Sequence, residues 1–264
     1  MLVYVSTCIK MKTLFLSFLL TAFSGFASAQ VKTPQGTAVK TSFTESLQVV
    51  VVTTKDSSAV QGTARLFERN SSKSKWKTNG ESFPVVIGRN GLAWSEDLII
   101  SHNPLQYKRE GDGRSPSGLF PLTFVFGSST KPEKLKFPYI KLEQFTECVD
   151  DVNSGHYNKI VDRMKVGNLD WKSSEKMLAV GLEYELGVFV AHNSYPVVRG
   201  NGSCIFLHIW KNANSGTSGC TAMERSNLEK ILGWLEPEKN PYLIQLTEGL
   251  YKTYRKSWNL PKLK

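Results

Sequence analysis

The sequence predicts a mainly β domain of the sandwich or barrel-like type, because short apolar segments recur along it at modest spacing. The first, "SLQVVVVTT" (Ser46–Thr54), is rich in valine, which is typical of a buried strand. "GTARLFERN" follows and alternates in a way that indicates a neighbouring strand. An apolar fraction of 41% over 264 residues predicts a packed core and argues against global disorder.

Further strands are predicted along the rest of the chain. "FPVVIGRNGLAW" carries one strand into a turn, where Asn90-Gly91 is a hairpin signal. "GLFPLTFVFG" and "YELGVFVAHN" are the next candidates. "SCIFLHIW" is short and holds β-branched and aromatic residues, so we expect a central strand that ends near His208.

The segment "MERSNLEKILGWL" predicts an amphipathic helix after Cys220. Its apolar stripe has the spacing i, i+3, i+4, i+7 and consists of Leu228, Ile231, Leu232 and Leu235. Two capping boxes are possible, namely Thr221 with Glu224 and Ser226 with Glu229. Cys220 is therefore expected at, or just before, a helix N-terminus.

A second helix is predicted over "PYLIQLTEGLYKTYRKSW", near the end of the chain. Pro241 would open it, because proline is favoured in the first turn of a helix.

The N-terminal region has the pattern of a secretory signal peptide at residues 1–29. Met11-Lys12 precedes the apolar stretch "TLFLSFLLTAFSGF", and Ala27-Ser28-Ala29 forms a small-residue cleavage site. The alternative is a membrane anchor, but about a dozen apolar residues fall short of the about 20 that a span needs. We therefore expect an exported, periplasmic or cell-wall-associated protein that starts at Gln30 and has no stable membrane insertion. Residues 30–45 are predicted to be a flexible lead, and 46–264 the folded domain.

The chain is basic, with a formal net charge of +10. Residues 1–29 hold Lys10, Lys12 and no acids, so the expected mature charge is 10 − 2 = +8. Such a protein is attracted to anionic surfaces, including cell-wall peptides and acidic wall polymers. Nucleic acid fits the charge but not the predicted export, so no nucleic-acid partner is expected.

Three of the four cysteines would remain after cleavage, because Cys8 precedes the site. An odd number in an oxidising compartment leaves one thiol that is reactive or pairs with another chain. One consistent arrangement pairs Cys148 with Cys204 and leaves Cys220 free. Alternatively, Cys148 and Cys204 are simply buried thiols.

The stretch "LHIWKNANSGTSGC" (Leu207–Cys220) places a histidine at a strand end and a cysteine after a run of small residues. An imidazole can take the proton of a thiol, and the resulting thiolate is the nucleophile. Glycine before the cysteine lets backbone N–H groups approach a substrate carbonyl, as an oxyanion hole requires. The combination of His208, Gly219 and Cys220 predicts acyl transfer. The alternative is a structural histidine with an incidental thiol.

Three stretches resemble the catalytic domain of the L,D-transpeptidase family, the YkuD-like cysteine enzymes of bacterial cell walls. They are "KREGDGRSPSGLFPL" (Lys108–Leu122), "NGSCIFLHIW" (Asn201–Trp210) and "TSGCTAM" (Thr217–Met223). The likeness runs from about Ser46 to about Leu235, the expected core of the domain. It implies a YkuD-like β-sandwich with a helix after the catalytic cysteine and a C-terminal helix, and it implies no metal or organic cofactor.

The resemblance implies a role for each matching residue. Cys220 would attack the carbonyl of the third residue of a peptidoglycan peptide stem, and terminal D-Ala would leave. His208 would act as base and then as acid, and backbone N–H groups around Ser218, Gly219 and Cys220 would bind the oxyanion. An amine would then resolve the thioester, giving a 3–3 cross-link or D-amino acid exchange, and the protein is expected to be a monomer. The family usually has His where Ser218 stands, and Arg or Asn where Ala222 stands.

Other readings stay open at the level of sequence. The same fold could act as a hydrolase, either an L,D-carboxypeptidase or an amidase. It could also be a non-catalytic peptidoglycan-binding protein, in which Cys220 would be unreactive. An unrelated exported cysteine protease is a further alternative, and it would cut ordinary L-peptides.

Two polar segments supply candidate substrate contacts upstream of the cysteine. In "AHNSYPVVRGNGS", Arg199 could bind a carboxylate with two hydrogen bonds, and Asn193 and Tyr195 could line the groove. The alternative is a Pro/Gly loop between strands. "EGDGRSPSG" is expected to build tight turns beside the site, with Arg114 as its best candidate for substrate contact.

The segment "ECVDDVNSGHYN" is rich in polar residues. Asp150 or Asp151 could pair with the free amine of a diaminopimelate side chain, or the segment is a polar turn capped by an aspartate. A metal site from Asp150, Asp151 and His156 is the weaker interpretation, because no further ligand stands at a characteristic spacing.

Overall fold

The computed structural model describes residues 43–96 and 105–263, which all fall within one compact unit, Pro34–Lys264. The signal peptide predicted at 1–29 and most of the lead predicted at 30–45 lie outside the described residues. The last three residues of that lead, Phe43–Glu45, form a short 3-10 helix. Among the described residues, no helix is long and apolar enough to cross a membrane.

Strands dominate the described chain, as the sequence predicts. The strands are β1 (Gln48–Thr54), β2 (Gln61–Glu68), β3 (Lys77–Val86), β4 (Leu92–Trp94), β5 (Ser115–Gly127), β6 (Tyr139–Lys141), β7 (Thr146–Val149), β8 (Ile160–Asp162), β9 (Ser174–Lys176), β10 (Leu186–Val190), β11 (Phe206–Ile209), β12 (Thr221–Met223) and β13 (Tyr242–Thr247). The two α-helices are α1 (Arg225–Trp234) and α2 (Glu248–Tyr254), and Met177–Tyr184 forms a 3-10 helix.

The main sheet closes on itself. Its strands follow the order β10-β11-β12-β3-β2-β1-β13-β5, and β5 pairs with β10 to complete the ring. The valine-rich β1 shows why the sheet is buried on both sides: Val50 and Val52 pack into the cluster inside the ring, whereas Val49 and Val51 pack with α2 residues on the other face. The mainly β fold class with few helices is confirmed.

The turn predicted at Asn90-Gly91 forms, but the hairpin prediction is wrong. Gly91 N–H donates to the Gly88 carbonyl at 2.8 Å, which closes a tight turn. The strands on either side do not pair with each other, because β3 lies between β2 and β12 whereas β4 runs parallel to β5. The turn therefore passes the chain between different parts of the sheet.

The apolar stripe of the first helix is confirmed, because Leu228, Ile231 and Leu232 are buried on α1. Both predicted capping boxes are wrong, since the N-cap residue is Glu224 and its side chain makes no capping hydrogen bond. Thr221 instead lies in β12, where its hydroxyl donates to Gln245 Oε1 at 2.6 Å.

The helix predicted from Pro241 is wrong in its first half. Tyr242–Thr247 form β13, which lies between β1 and β5 and has all six residues buried. The helical half is confirmed as α2, and the Thr247 hydroxyl caps it by accepting from Leu250 N–H at 3.2 Å. Burial of every residue in a sheet interior outweighs the helical spacing of the apolar residues.

A second sheet of three strands, in the order β8-β7-β9, lies beside the ring. In the pairing of β7 with β9, Cys148 stands opposite Glu175, and Glu147 stands opposite Lys176. A disulfide joins Cys148 to Cys204, just before β11. The small sheet is thus tied covalently to the strand that carries His208.

Candidate active site

A cleft of about 210 Å³ opens where β11, the 3-10 helix and the loop before β12 meet. Cys220 and His208 both line this cleft, as the sequence predicts for a nucleophile and its base. The remaining lining residues are Glu175, Val180, Glu183, Tyr184, Lys211, Ser215, Gly216, Thr217, Ser218 and Ala222.

The backbone at Cys220 is held by two hydroxyl groups. Its carbonyl accepts hydrogen bonds from Ser115 Oγ at 3.0 Å and from Thr217 Oγ1 at 2.6 Å. Ser115 Oγ in turn accepts from Gly88 N–H at 2.8 Å. Cys220 is followed by β12, not by a helix, so the prediction that it sits at a helix N-terminus is wrong. A helix dipole therefore does not supply the stabilisation of a thiolate.

The loop before Cys220 passes very close to the turn after β3. A Cβ at Gly216 would lie 2.6 Å from the Arg89 Cα, so only glycine fits there. Thr217 N–H donates to the Ile87 carbonyl at 2.9 Å, and Arg89 N–H donates to the Thr217 carbonyl at 2.8 Å. These contacts fix the path of the chain up to Cys220.

The thiol of Cys220 is buried. Burial raises its pKa well above the ordinary value, and the nearby charge of Glu175 acts in the same direction. Phe206 N–H donates to the sulfur at 3.3 Å, and the thiol donates to the Cys204 carbonyl at 3.4 Å. The resting Cys220 is therefore a neutral thiol whose hydrogen bonds orient the sulfur in the cleft.

His208 is buried as well, and burial lowers its pKa below the ordinary value, although the hydrogen bond to the Ile209 carbonyl and the negative charge of Glu183 oppose the shift. Its Nδ1 lies 2.8 Å from the Ile209 carbonyl, which can only accept, so Nδ1 carries the proton. The lone pair is then on Nε2. The Tyr184 ring packs edge-on against the imidazole, with 5.2 Å between the ring centres. A neutral, oriented imidazole can act as a general base.

The amides proposed for the oxyanion hole differ in their partners. Gly219 N–H donates to Thr217 Oγ1 at 3.1 Å, so it is already engaged. No group of the described residues accepts a hydrogen bond from Cys220 N–H. The Ser218 hydroxyl accepts from the Arg89 guanidinium at 3.1 Å, which places a positive charge at the rim of the loop.

The family model for the L,D-transpeptidase catalytic domain, YkuD, matches residues 61–244, more than two thirds of the chain. The chain belongs to the L,D-transpeptidase (YkuD) family. No curated protein and no solved structure gives a significant match. The matched range contains both His208 and Cys220, and the resemblance seen in the three sequence stretches is confirmed. The family acts on peptidoglycan peptide stems, which associates the domain with the cell wall.

In this L,D-transpeptidase domain the cysteine pairing is settled. Cys148 and Cys204 form a disulfide across 56 positions of sequence, and Cys220 is the free cysteine of the described residues. The bond lies directly beside the nucleophile, because the Cys204 carbonyl accepts the thiol hydrogen of Cys220.

The segment around Asp112 forms tight turns beside the site, as expected. The Asp112 carboxylate accepts from the ammonium of Lys108 at 2.7 Å and from the N–H groups of Arg109 and Arg114 at 2.9 Å. This turn delivers Ser115 to the Cys220 carbonyl. The motif thus supports the nucleophile through backbone placement.

The structure does not bring the six predicted substrate-binding residues to the lining of the cleft, namely Arg199, Asn193, Tyr195, Asp150, Asp151 and Arg114. Arg199 and Tyr195 are exposed on the loop before β11. Asn193 is buried, and its amide bonds to Val198 and Gly202 within the same loop. The Arg114 guanidinium donates to the Leu92 carbonyl at 3.3 Å. Their contact with substrate stays a prediction.

The two aspartates after β7 have different surroundings. Asp151 accepts hydrogen bonds from the backbone N–H groups of Asn153 and Lys172, and these lower its pKa. Asp150 Oδ1 is buried, with no hydrogen-bond partner among the described residues. His156 packs edge-on against Trp171. Within residues 43–96 and 105–263, no group of three or more His, Cys, Asp or Glu side chains is placed to hold a metal ion.

Sequence reasoning missed two side chains that line the cleft with Cys220. Tyr184 is the last residue of the 3-10 helix, and its hydroxyl donates to Glu175 Oε2 at 2.7 Å. Both line the cleft with Cys220. Glu175 carries no motif, and β9 holds only three residues, so no local signal could have found it.

Proposed function

We propose that the protein is a peptidoglycan L,D-transpeptidase that forms a thioester at Cys220. The observation that carries the proposal is the shared cleft, in which a free cysteine and an imidazole with a fixed tautomer face the same space. The family membership supports the choice of peptide stems as substrate.

In the first half-reaction the Cys220 sulfur attacks the carbonyl of the third stem residue. The thiol proton passes to His208 Nε2 as the S–C bond forms. The tetrahedral intermediate then breaks its C–N bond, and His208 returns the proton to the leaving D-Ala amine. Because both groups are neutral at rest, the proton moves during the attack and no ion pair precedes substrate binding.

The negative oxygen of the intermediate needs donors that the resting protein does not use. Cys220 N–H meets this requirement among the described residues, and the Arg89 guanidinium lies near the same loop through its bond to Ser218. Gly219 N–H is less suited, because Thr217 already accepts its hydrogen bond. The oxyanion hole is therefore proposed at the Cys220 amide.

In the second half-reaction an amine attacks the thioester carbonyl, and His208 takes the proton of that amine. The C–S bond then breaks, and His208 returns the proton to the Cys220 sulfur. A stem amine as acceptor gives a 3–3 cross-link, and a free D-amino acid gives exchange. Water as acceptor would make the protein an L,D-carboxypeptidase. We expect the protein to act after export, as a monomer that begins at Gln30.

The test is intact-mass measurement of the chain from Gln30 onward after mixing with a disaccharide-tetrapeptide. The expected adduct equals the stem minus D-Ala, and the Cys220→Ala variant should show none. Dimeric products would identify a transferase, and tripeptides alone a hydrolase. If neither adduct nor product forms with plain and amidated stems, the assignment of the donor is wrong.

A further inference from the structure

We propose that Glu175 and Tyr184 form a positioning pair for the nucleophile, in which a protonated Glu175 turns the Tyr184 hydroxyl proton toward the Cys220 sulfur. The inference rests on the proposed function of Cys220. It adds the Tyr184 hydroxyl to His208 as a second group that acts on the Cys220 thiol. It gives roles to two side chains that a cysteine–histidine mechanism leaves unused.

The cleft brings together the Tyr184 hydroxyl, the Glu175 carboxyl group and the Cys220 thiol. Tyr184 Oη lies 2.7 Å from Glu175 Oε2. Tyr184 and Cys220 line the same cleft and belong to the same buried cluster, and the Tyr184 hydroxyl acts to lower the pKa of the Cys220 thiol against the effect of burial. Tyr184 is itself buried, and its ring packs edge-on against Phe126, Phe206 and His208. The hydroxyl is thus held in place by a rigid ring.

The carboxyl group is held as firmly as the tyrosine. Glu175 lies on β9, opposite Cys148 of β7. Cys148 is bonded to Cys204, whose carbonyl accepts the thiol hydrogen of Cys220. The small sheet therefore cannot move Glu175 away from the sulfur without also moving this disulfide.

The number of protons shared by Glu175 and Tyr184 shows why the protonation state of Glu175 matters. A tyrosine hydroxyl carries one proton, and an ionised carboxylate can only accept it. With Glu175 ionised, the proton points to the carboxylate and the sulfur faces an oxygen lone pair. With Glu175 protonated, the carboxyl donates to Tyr184 Oη, and the tyrosine proton is free to bond the sulfur. Such a bond stabilises the thiolate that forms as His208 takes its proton.

The surroundings keep Glu175 partly protonated near neutral pH. Burial raises the pKa of Glu175 to about 7, against the effect of its bond to Tyr184, and the negative charges of Asp150 and Glu110 add to the shift. The cations nearby are engaged elsewhere: Lys176 pairs with Glu147, and Lys108 pairs with Asp112. The other titratable groups that line the cleft are His208, Glu183, Lys211 and Cys220.

The experiment is a double-mutant cycle on the reactivity of the thiol. The chain from Gln30 has Cys220 as its free cysteine beside the disulfide, so the rate of iodoacetamide alkylation against pH reports this thiol alone. Glu175→Gln removes the negative charge and supplies an uncharged side chain whose N–H can donate to Tyr184. Because a hydrogen bond to a charged group is worth about 1.5–3 kcal/mol, alkylation at pH 8 should rise by about tenfold or more.

The same change is then made together with Tyr184→Phe, which keeps the ring and removes the hydroxyl. Glu175→Gln should now alter the rate by less than about twofold. An equal rise in both backgrounds would mean that the lost charge acts directly on the sulfur, and it would overturn the proposal. No rise in either background would overturn it too.

A second variant keeps both Glu175 and Tyr184, so it controls for misfolding that replacing either side chain could cause. Asp150→Asn removes a negative charge that raises the pKa of Glu175. The midpoint of the change in alkylation rate that titration of Glu175 causes should therefore shift to lower pH. An unshifted pH profile would count against the proposal. Alkylation needs no peptide, so loss of acyl transfer with an intact cycle would refute the proposed function alone.

Discussion

The Ser115 hydroxyl donates a hydrogen bond to the carbonyl of Cys220, with 3.0 Å between the oxygens. The two residues are 105 positions apart in sequence, and both are buried. Ser115 also accepts from Gly88 N–H. One hydroxyl thereby joins the turn after β3, the start of β5 and the nucleophile, so the position of Cys220 depends on all three.

Ser115→Ala should therefore slow acyl transfer as well as destabilise the fold. The change leaves the buried Gly88 N–H without its acceptor, which costs about 1–3 kcal/mol, and it frees the Cys220 carbonyl from one of its two donors. Thermal unfolding and the rate of thioester formation would be measured. Ser117→Ala is the matched control, because Ser117 is buried on the same strand and donates to the Gln245 carbonyl instead. Equal losses of rate in both variants would refute this role of Ser115.

His208 should set the acidic limb of the activity profile. Its pKa is lowered by burial, so the neutral base persists below pH 6.5 and is lost only as the pH falls through the lowered value. His208→Gln should remove this limb and lower kcat/KM by about 10²–10⁴-fold. The measurement is the rate of D-Ala release against pH. An acidic limb that survives the substitution would assign it to another group.

Glu147 should govern acid unfolding of the small sheet. Burial by itself would raise its pKa, but hydrogen bonds from Lys176, Ser174 and Trp171 outweigh burial and lower the pKa to about 2. A depressed pKa stabilises the fold above the ordinary value of 4.5, and this stability is lost as the pH falls toward 2. Glu147→Gln should cost on the order of 2 kcal/mol at pH 7 and nearly nothing at pH 2.

Urea unfolding at several pH values would test the Glu147 prediction. Glu143→Gln serves as control, since Glu143 is largely exposed and pairs with Lys141 on the surface. Its effect should stay within about 0.5 kcal/mol at every pH. A cost for Glu147→Gln that does not change with pH would show that its charge is not the source of stability.

Removal of the disulfide should lower stability strongly. For a loop of 56 residues, closure accounts for about 4 kcal/mol. The double substitution Cys148→Ser with Cys204→Ser, or addition of a reductant, should lower the free energy of unfolding by a similar amount, and the melting temperature should fall with it. Cys220→Ala keeps the disulfide and should keep the response to reductant. If reductant has no effect on the unmodified protein, the bond is not part of its native state in solution.

Local patterns predicted the elements whose burial is plain from the sequence. The valines of β1 and the leucine stripe of α1 mark apolar faces that are buried wherever the strand or helix lies in the fold. The segment before α2 was misjudged because its apolar residues fit a helix as well as a doubly buried strand. Its neighbours β1 and β5 decide between the two, and they lie far away in sequence.

In the candidate site, too, local patterns predicted some residues, whereas others depend on contacts between segments that are distant in sequence. Cys220 and His208 were found because their residue types carry the chemistry. The strand β12 was missed because it has three residues and pairs with β11 and β3, which lie elsewhere in the sequence. Cys220 was therefore wrongly predicted at a helix N-terminus, because β12 lies between it and the helix. Glu175 and Ser115 could not be found, since their roles depend on contacts across the fold.

The bond between Cys148 and Cys204 also ties completion of the cleft to the redox state of the compartment in which the chain folds. Where thiols are kept reduced, the small sheet that presents Glu175 has no covalent link to the carbonyl that orients the nucleophile. Oxidation then forms this link between the small sheet and the backbone beside Cys220. The redox state of the surroundings thus decides whether Glu175 is covalently fixed to the wall of the cleft.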